Sequence, residues 1–359
     1  MKKNVPAFVL SLTVCGAALG LIVFPQEVSR AVRDGLSLCT DTLLPTLFPF
    51  LVLSGFLIKS GLAAPLGRIL EPIMQPLFHL PGVCSSAFLL GLVGGYPTGA
   101  KTALALYRSG QCSRREAEQT LAFCNNCGPG FLLGSIGFGV FGSLSCGVLL
   151  FFTHALAAVL TGILLAAPHP ISLSTGKTST EKPSMPAAFV ASVTESMQAF
   201  LNLSAFVLCF AAITCLAQLS GLISALAVLL PFSQENSTCF LLGLLEMSTG
   251  TLQLSHGTAA EQMILTSAIV GWGGLSVHCQ VLSLMEDTEL SPSLYFKGKA
   301  LHALLSALLC TLFLTRSMIL GAAVFITVAT VRFRKKAVEK KRQIYYNGEK
   351  SKLKELRYP

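Results

Sequence analysis

Apolar runs dominate this chain, and several of them break off in an unusual way. Val5–Phe24, Gly147–Ala167 and Phe200–Leu219 each approach the ~20 residues that a helix needs to cross a bilayer. Other runs stop short. The run from Val83 ends in Gly91-Leu92-Val93-Gly94-Gly95-Tyr96-Pro97-Thr98-Gly99-Ala100-Lys101, where four glycines and a proline interrupt it and a lysine closes it. A plain spanning helix has no use for that ending. Backbone that leaves the helix at membrane depth needs partners for its N–H and C=O groups, and it survives only when buried in protein or lining a wet cavity. The pattern therefore predicts a broken helix at a polar site.

Taken in order, Pro6–Phe24 predicts a first spanning helix, uncleaved because no small-x-small site precedes a soluble domain. Arg30, Arg33, Asp34, Ser37 and Asp41 recur at three- and four-residue steps, which predicts an amphipathic helix in the interface or along a cavity. Leu43–Ile58 follows as a crossing kinked by Pro45 and Pro49, then Leu66–Leu80 as an interfacial stretch. Thr98–Arg108 reads as a short helix, and Ser113-Arg114-Arg115-Glu116 as a capping box that starts the next one. That helix ends at Cys124-Asn125-Asn126-Cys127-Gly128-Pro129-Gly130, a second break, and Phe131 to Ala167 holds a half-helix and a full crossing.

The second half begins as the first did. Ser192, Glu195 and Asn202 share a face ahead of the crossing Phe200–Leu219. After an interfacial stretch, Thr238–Leu245 breaks at Glu246-Met247-Ser248-Thr249-Gly250. A helix from about Thr258 runs to Gly271-Trp272-Gly273-Gly274 and restarts at Leu275-Ser276-Val277-His278-Cys279-Gln280. Tyr295–Leu314 and Met318–Val331 are the last crossings. The same order of elements thus occurs twice, and matched breaks in two halves mark the sites of many transporters. The expected fold is an all-α polytopic membrane protein of two pseudo-repeated halves with broken helices. Its divisions are an N-terminal transmembrane helix at 1–27, a first repeat at 28–168, a polar linker at 169–187, a second repeat at 188–315, a C-terminal transmembrane helix at 316–332 and a basic tail at 333–359.

Composition supports the membrane assignment. Of 359 residues, 52% are hydrophobic and 12% charged, with mean hydropathy +0.67, where soluble domains are about 25% charged. The net charge is +9, and much of the excess lies in the tail. Lysine and arginine clusters beside a membrane segment mark the cytoplasmic side, and contact with anionic head groups is the next meaning. Nucleic acid is not an expected partner. Lys2 and Lys3 place the N-terminus inside as well, so the crossings should be even in number. Most of the twelve cysteines lie in apolar segments, as small hydrophobes rather than a disulfide framework.

Polar groups inside apolar segments are costly and point to function. Glu246 could bind a cation or proton or accept hydrogen bonds from a solute; alternatively it pairs with a lysine or with helix N-termini and holds the break in shape. Lys101 could bind an anion, pair with Glu246 or reach the surface. Asn125 and Asn126 offer amides to a solute or to their own loop, and Pro129 frees a carbonyl beside them. Gln280 and Ser276, after Gly273 and Gly274, occupy the matching place in the second half. Half-helices restarting near Phe131 and Leu275 could aim amide donors at an anion. His278 reads as a local hydrogen-bonding residue. The C-x-x-C of Cys124 and Cys127 has no second ligand pair, so no metal is expected. No nucleotide-binding glycine loop, cofactor motif or nucleophile–base pair stands out, and an enzyme is not expected.

The blocks Gly94-Gly95-Tyr96-Pro97-Thr98-Gly99-Ala100-Lys101, Cys124-Asn125-Asn126-Cys127-Gly128-Pro129, Glu246-Met247-Ser248-Thr249-Gly250 and Gly273-Gly274-Leu275-Ser276-Val277-His278-Cys279-Gln280 together resemble the YlbJ-type sporulation integral membrane proteins, within the wider nucleoside-recognition (Gate domain) family. The resemblance covers most of the chain. It implies a transporter in the mother-cell-derived outer forespore membrane that moves dipicolinic acid, a small planar dianion, toward the forespore. A nucleoside or other small solute, or a scaffold role without transport, stays open. The implied substrate-binding set is Gly95, Tyr96, Pro97, Thr98, Gly99, Lys101, Asn125, Asn126, Pro129, Glu246, Thr249, Gly250, Gly273, Gly274, Ser276 and Gln280. The partners implied are a small-molecule anion and the lipid bilayer, with further copies of the chain or other sporulation membrane proteins left open.

Overall fold

A computed structural model describes residues 5–60, 64–167, 184–254 and 256–315. Lys2, Lys3, most of the linker expected at 169–187, the crossing at 316–332 and the tail at 333–359 lie outside the described residues. Among the described residues every regular element is helical.

Helix α1 (Val5–Val23) is followed by α2 (Pro25–Ser37), which starts on a proline whose missing N–H has no intrahelical partner to lose. A π-helical turn, Leu38–Leu43, carries α2 into α3 (Leu44–Lys59). Pro45 cannot donate to the Asp41 carbonyl, and its ring crowds that group; the widened turn falls where that strain acts. The amphipathic segment and the crossing are therefore one helical rod.

Helix α4 (Ala64–Ile73) passes through a π-helical turn, Met74–Phe78, and the chain then bends by 108°. His79 takes the left-handed conformation at the bend. A 3-10 turn, Gly82–Cys84, leads into α5 (Ser85–Gly94), which packs against α6 (Thr98–Arg108) as a hairpin with Gly95, Tyr96 and Pro97 at its tip. Helix α7 (Arg114–Cys124) starts with the expected capping box between Ser113 and Glu116. Beyond the break come a π-helical stretch, Gly130–Val140, and α8 (Leu144–Leu165).

Helix α9 (Met185–Leu219) is one unbroken rod of 35 residues, about 50 Å long at 1.5 Å per residue. The sequence pattern divides it into an amphipathic part and a crossing, but no glycine or proline lies between Ala187 and Leu219 to separate them. After α10 (Leu222–Ala227), α11 (Gln234–Leu245) and α12 (Met247–Leu252) form a second hairpin with Glu246 at its tip. Helices α13 (Ala259–Trp272) and α14 (Gly274–Met285) are two parts of a broken rod. Gly273 and Gly274 both take positive φ at the break, a conformation open to glycine at little cost. Helix α15 (Ser293–Leu314) packs against α7, α8 and α13.

Among the described residues, five helical stretches are long and apolar enough to cross a membrane, or six if the bent pair around His79 counts as one. Lys59 at the end of α3 meets Glu195 of α9 at 2.6 Å. Glu195 is mostly exposed, and exposed pairs contribute little. Lys59→Ala should therefore move stability by less than about 1 kcal/mol, read as an unchanged thermal unfolding midpoint in detergent.

Candidate functional site

The breaks converge. The α5–α6 tip contributes Gly94, Gly95 and Tyr96, the break after α7 contributes Cys127, Gly128 and Gly130, and the α11–α12 tip contributes Met247 and Ser248. They enclose a cavity of about 60 Å³ closed by Phe50 and Leu51 of α3 and by Ala199 and Leu203 of α9. That is room for a few waters, far below the ~300 Å³ at which small-molecule pockets begin.

Two larger cavities flank this waist along the same pair of rods. One, about 490 Å³, holds Asp34, Asp41 and Thr42 with Thr214 and Gln218 of α9 and Thr249 and Gln253 of the second hairpin. The other, about 330 Å³, holds Lys59, Lys101, Thr98 and Thr102 with Glu195, Gln198 and Asn202 of α9. Leu51 and Ala199 line both this cavity and the waist. From the middle of one lining stretch on α9 (Ser192 to Asn202) to the middle of the other (Ala211 to Gln218), the axis advances about 25 Å. The first hairpin faces one cavity and the second faces the other.

The structure sorts the expected site residues by role. Gly95 and Tyr96 line the waist, Thr98 and Lys101 one mouth, and Thr249 the other. Glu246 is 3% exposed and caps α12, accepting from the Ser248 N–H at 3.1 Å and the Thr249 N–H at 2.7 Å. Lys101 is exposed and stands in the cavity away from the second hairpin, so these two charges form no ion pair. Asn126 is buried and donates to the Phe123 carbonyl at 3.0 Å, satisfying its own loop; Asn125 is buried beside it.

The glycines at these positions are packing devices. A methyl group at Gly99 would stand 1.9 Å from the Cys124 carbonyl oxygen, and one at Gly250 would stand 2.1 Å from the Gly243 Cα. Gly273 lies against the hydroxyl end of Tyr96, and Gly274 against the Met247 amide. Pro97 and Pro129 sit at the two breaks of the first half, each at the start of the helix that follows. Ser276 is buried and Gln280 half-buried on α14; neither lines any of these three cavities. His278 hydrogen-bonds the Tyr295 hydroxyl at 2.9 Å, the local role expected of it. Among the described residues no cluster of metal-ligating side chains is found.

The pattern of breaks does not reveal Lys299. It lies on α15 and is 1% exposed. Its side-chain nitrogen donates to the Asn125 carbonyl at 3.0 Å and to the Tyr96 hydroxyl at 3.2 Å, and it lies 5.0 Å from the Tyr96 ring centre. The Tyr96 hydroxyl in turn donates to the Val270 carbonyl at 2.7 Å. One lysine thus joins the first hairpin tip, the α7 break and the end of α13. His154 and His302 stack beside it with ring centres 4.4 Å apart. His154 accepts from the Cys127 amide at 3.0 Å, and His302 donates to the His154 carbonyl at 3.0 Å.

The family model Gate, described as nucleoside recognition, matches residues 41–229, more than half of the chain. The chain belongs to the Gate family. This Gate protein is 28% identical over 320 residues to the sporulation integral membrane protein YlbJ of Bacillus subtilis (strain 168), a match that covers 80% of its chain and 78% of the relative. A doubly substituted form of CNTnw in an outward-facing state shares the fold with TM-score 0.57 at 15% identity, over 86% of this chain and 84% of that one. Apolar helices of spanning length and the YlbJ relationship make the Gate protein an integral membrane protein.

Proposed function

We propose that this Gate protein carries a small polar anion across the membrane by alternating access, and that the anion is dipicolinic acid moved toward the forespore across the mother-cell-derived outer forespore membrane. One observation carries the reading: two cavities with polar linings follow one another along α9, separated by a waist built from helix breaks. Irregular backbone is tolerated at that depth when it lines a water-filled route. The two hairpins face opposite cavities, which supports halves arranged as inverted repeats. Gly95, Tyr96 and Ser248 would meet the solute at the waist, with Thr98 and Lys101 guarding one mouth and Thr249 the other. The acid-lined mouth with Asp34 and Asp41 and the opposite mouth, where Lys101 stands and Lys59 is paired with Glu195, would bias which side an anion enters.

Uptake of labelled dipicolinate into liposomes holding the purified protein tests this directly. The family description favours a nucleoside as the second reading, and labelled uridine in the same assay decides between them. No uptake of either, with spores still requiring the protein, would leave a scaffold role. Ala199→Phe provides a further check. Ala199 lines the waist and the cavity beside it, so the ring should fill the ~60 Å³ gap and cut uptake at least about tenfold. Ala199 is half-buried, and the unfolding midpoint should stay near that of the parent.

A further inference from the structure

Lys299 is the least expected feature of this fold. A buried ammonium costs several kcal/mol unless it is compensated, and charge inside a membrane bundle marks function by default. Among the described residues the ion pairs are Lys59 with Glu195 and Arg114 with Glu118; no carboxylate pairs with Lys299. What surrounds it is helix ends. The Asn125 carbonyl is the C-cap of α7, and the Val270 carbonyl, reached through the Tyr96 hydroxyl, lies in the last turn of α13. C-terminal ends of helices carry partial negative charge. In transporters with broken helices, such ends and their freed carbonyls hold the coupling cation. Here a side-chain nitrogen sits among them.

Other titratable groups face Lys299 from each packed element. Cys124 and Cys127 come from the α7 break, His154 from α8, His278 from α14, Tyr96 from the first hairpin, and Tyr295 and His302 from α15 itself. Helix α13 brings Glu261 alone, in its first turn, at the end away from Lys299. None of the near groups is a carboxylate.

We propose that the Lys299 ammonium is a tethered cation standing in the place of a coupling ion, and that this proton, released to water on one side and regained from water on the other, drives the change between the two access states. The inference rests on the transport reading for its purpose, but the tethered cation itself can be tested without transport. Protonated, Lys299 ties the first hairpin tip, the α7 end and the α13 end together. Deprotonated, it can still donate but no longer neutralises two helix ends, and the breaks are free to part.

Trp272 is the sole tryptophan of the chain. It ends α13, next to Gly273, against which the Lys299 side chain lies, and it donates to the Leu244 carbonyl at 3.1 Å. Its emission should report the parting of the breaks. In the purified full-length protein, emission should titrate with pH and be unchanged when sodium replaces choline at constant ionic strength. His278 stacks edge-on to Trp272, so the titration must persist in His278→Gln. Lys299→Met should abolish it; Lys299→Arg, which keeps its charge, should hold the acid-side emission throughout. If the methionine variant does not insert, the arginine variant and the sodium comparison carry the same test. A flat titration in the parent, a sodium-dependent emission, or an unaltered titration in the variants would each overturn the proposal.

In liposomes, a gradient of one pH unit should change dipicolinate accumulation by up to about tenfold for one coupled proton, and a sodium gradient should not. Sodium-driven uptake would reject the tethered cation and leave the transport reading standing. A Lys299-dependent titration without dipicolinate or uridine uptake would reject those solutes and leave the cation standing.

Discussion

Alanine at Gly99 should keep the protein from reaching its folded, inserted form. Its methyl group would stand 1.9 Å from the Cys124 carbonyl oxygen, and one at Gly91 would approach the same oxygen at 1.8 Å. Helices α5, α6 and the end of α7 therefore meet backbone to backbone at one atom. Relief cannot come from a rotamer, because the obstacle is main chain. The α7 end would have to move away, and with it the Asn125 carbonyl that Lys299 holds. Overpacking relieved by side-chain shifts costs about 1–3 kcal/mol; with backbone on both sides the loss should exceed about 3 kcal/mol, a large share of a typical folding free energy. The expected result is an aggregated or degraded product on size exclusion. Gly298→Ala, whose methyl would lie 2.1 Å from the Ala122 oxygen, should fail in the same way. Gly16→Ala, with nothing within 4 Å, is the control and should behave as the parent. A monodisperse Gly99→Ala protein with a normal unfolding midpoint would show that the three helices do not meet this closely.

The breaks were legible in the sequence because glycine, proline and polar residues cluster there inside otherwise apolar runs. Gly94-Gly95-Tyr96-Pro97 and Gly273-Gly274 could be located to the residue, and the caps at Ser113 and Thr258 fixed two helix starts. Local chemistry decides such features. The π-helical stretches were not legible. They arise where a proline or a close neighbour forces the ladder wider, as Pro45 does above Asp41, and that depends on packing. Lys299 was hidden for a different reason. Lys297 and Lys299 stand near the start of α15 and read together as ordinary charges at the edge of a span. Only the helix orientation turns Lys297 to the outside and Lys299 into the bundle. Lys101 shows the reverse. The glycine-rich break before it suggests depth, yet it stands exposed in a mouth. Spacing identifies the polar groups in a membrane segment, but which of them face the interior is fixed by rods far apart in sequence.

Replacing Glu246 with alanine should cut solute uptake more than about tenfold, through the shape of the second hairpin. Its two carboxylate oxygens accept from the Ser248 and Thr249 amides, which would otherwise be left unsatisfied at the start of a six-residue helix. Helix α12 is too short to stand by its own hydrogen bonds. An N-cap contributes about 1 kcal/mol, and hydrogen bonds to a charged group about 1.5–3 kcal/mol, so alanine should destabilise the protein by about 2–3 kcal/mol. Met247 and Ser248, the waist residues contributed by this hairpin, would lose their fixed place. Glutamine separates the two roles that a buried carboxylate at the tip could have. Its amide oxygen can still cap, so as a capping residue Glu246→Gln should lose about 1 kcal/mol and keep most of the uptake. As a carboxylate that meets the solute or a proton, Glu246→Gln should keep the parent's unfolding midpoint and lose transport. Thermal unfolding and uptake measured on the same two variants distinguish the outcomes, and the paired hydrogen bonds at 3.1 and 2.7 Å predict the first.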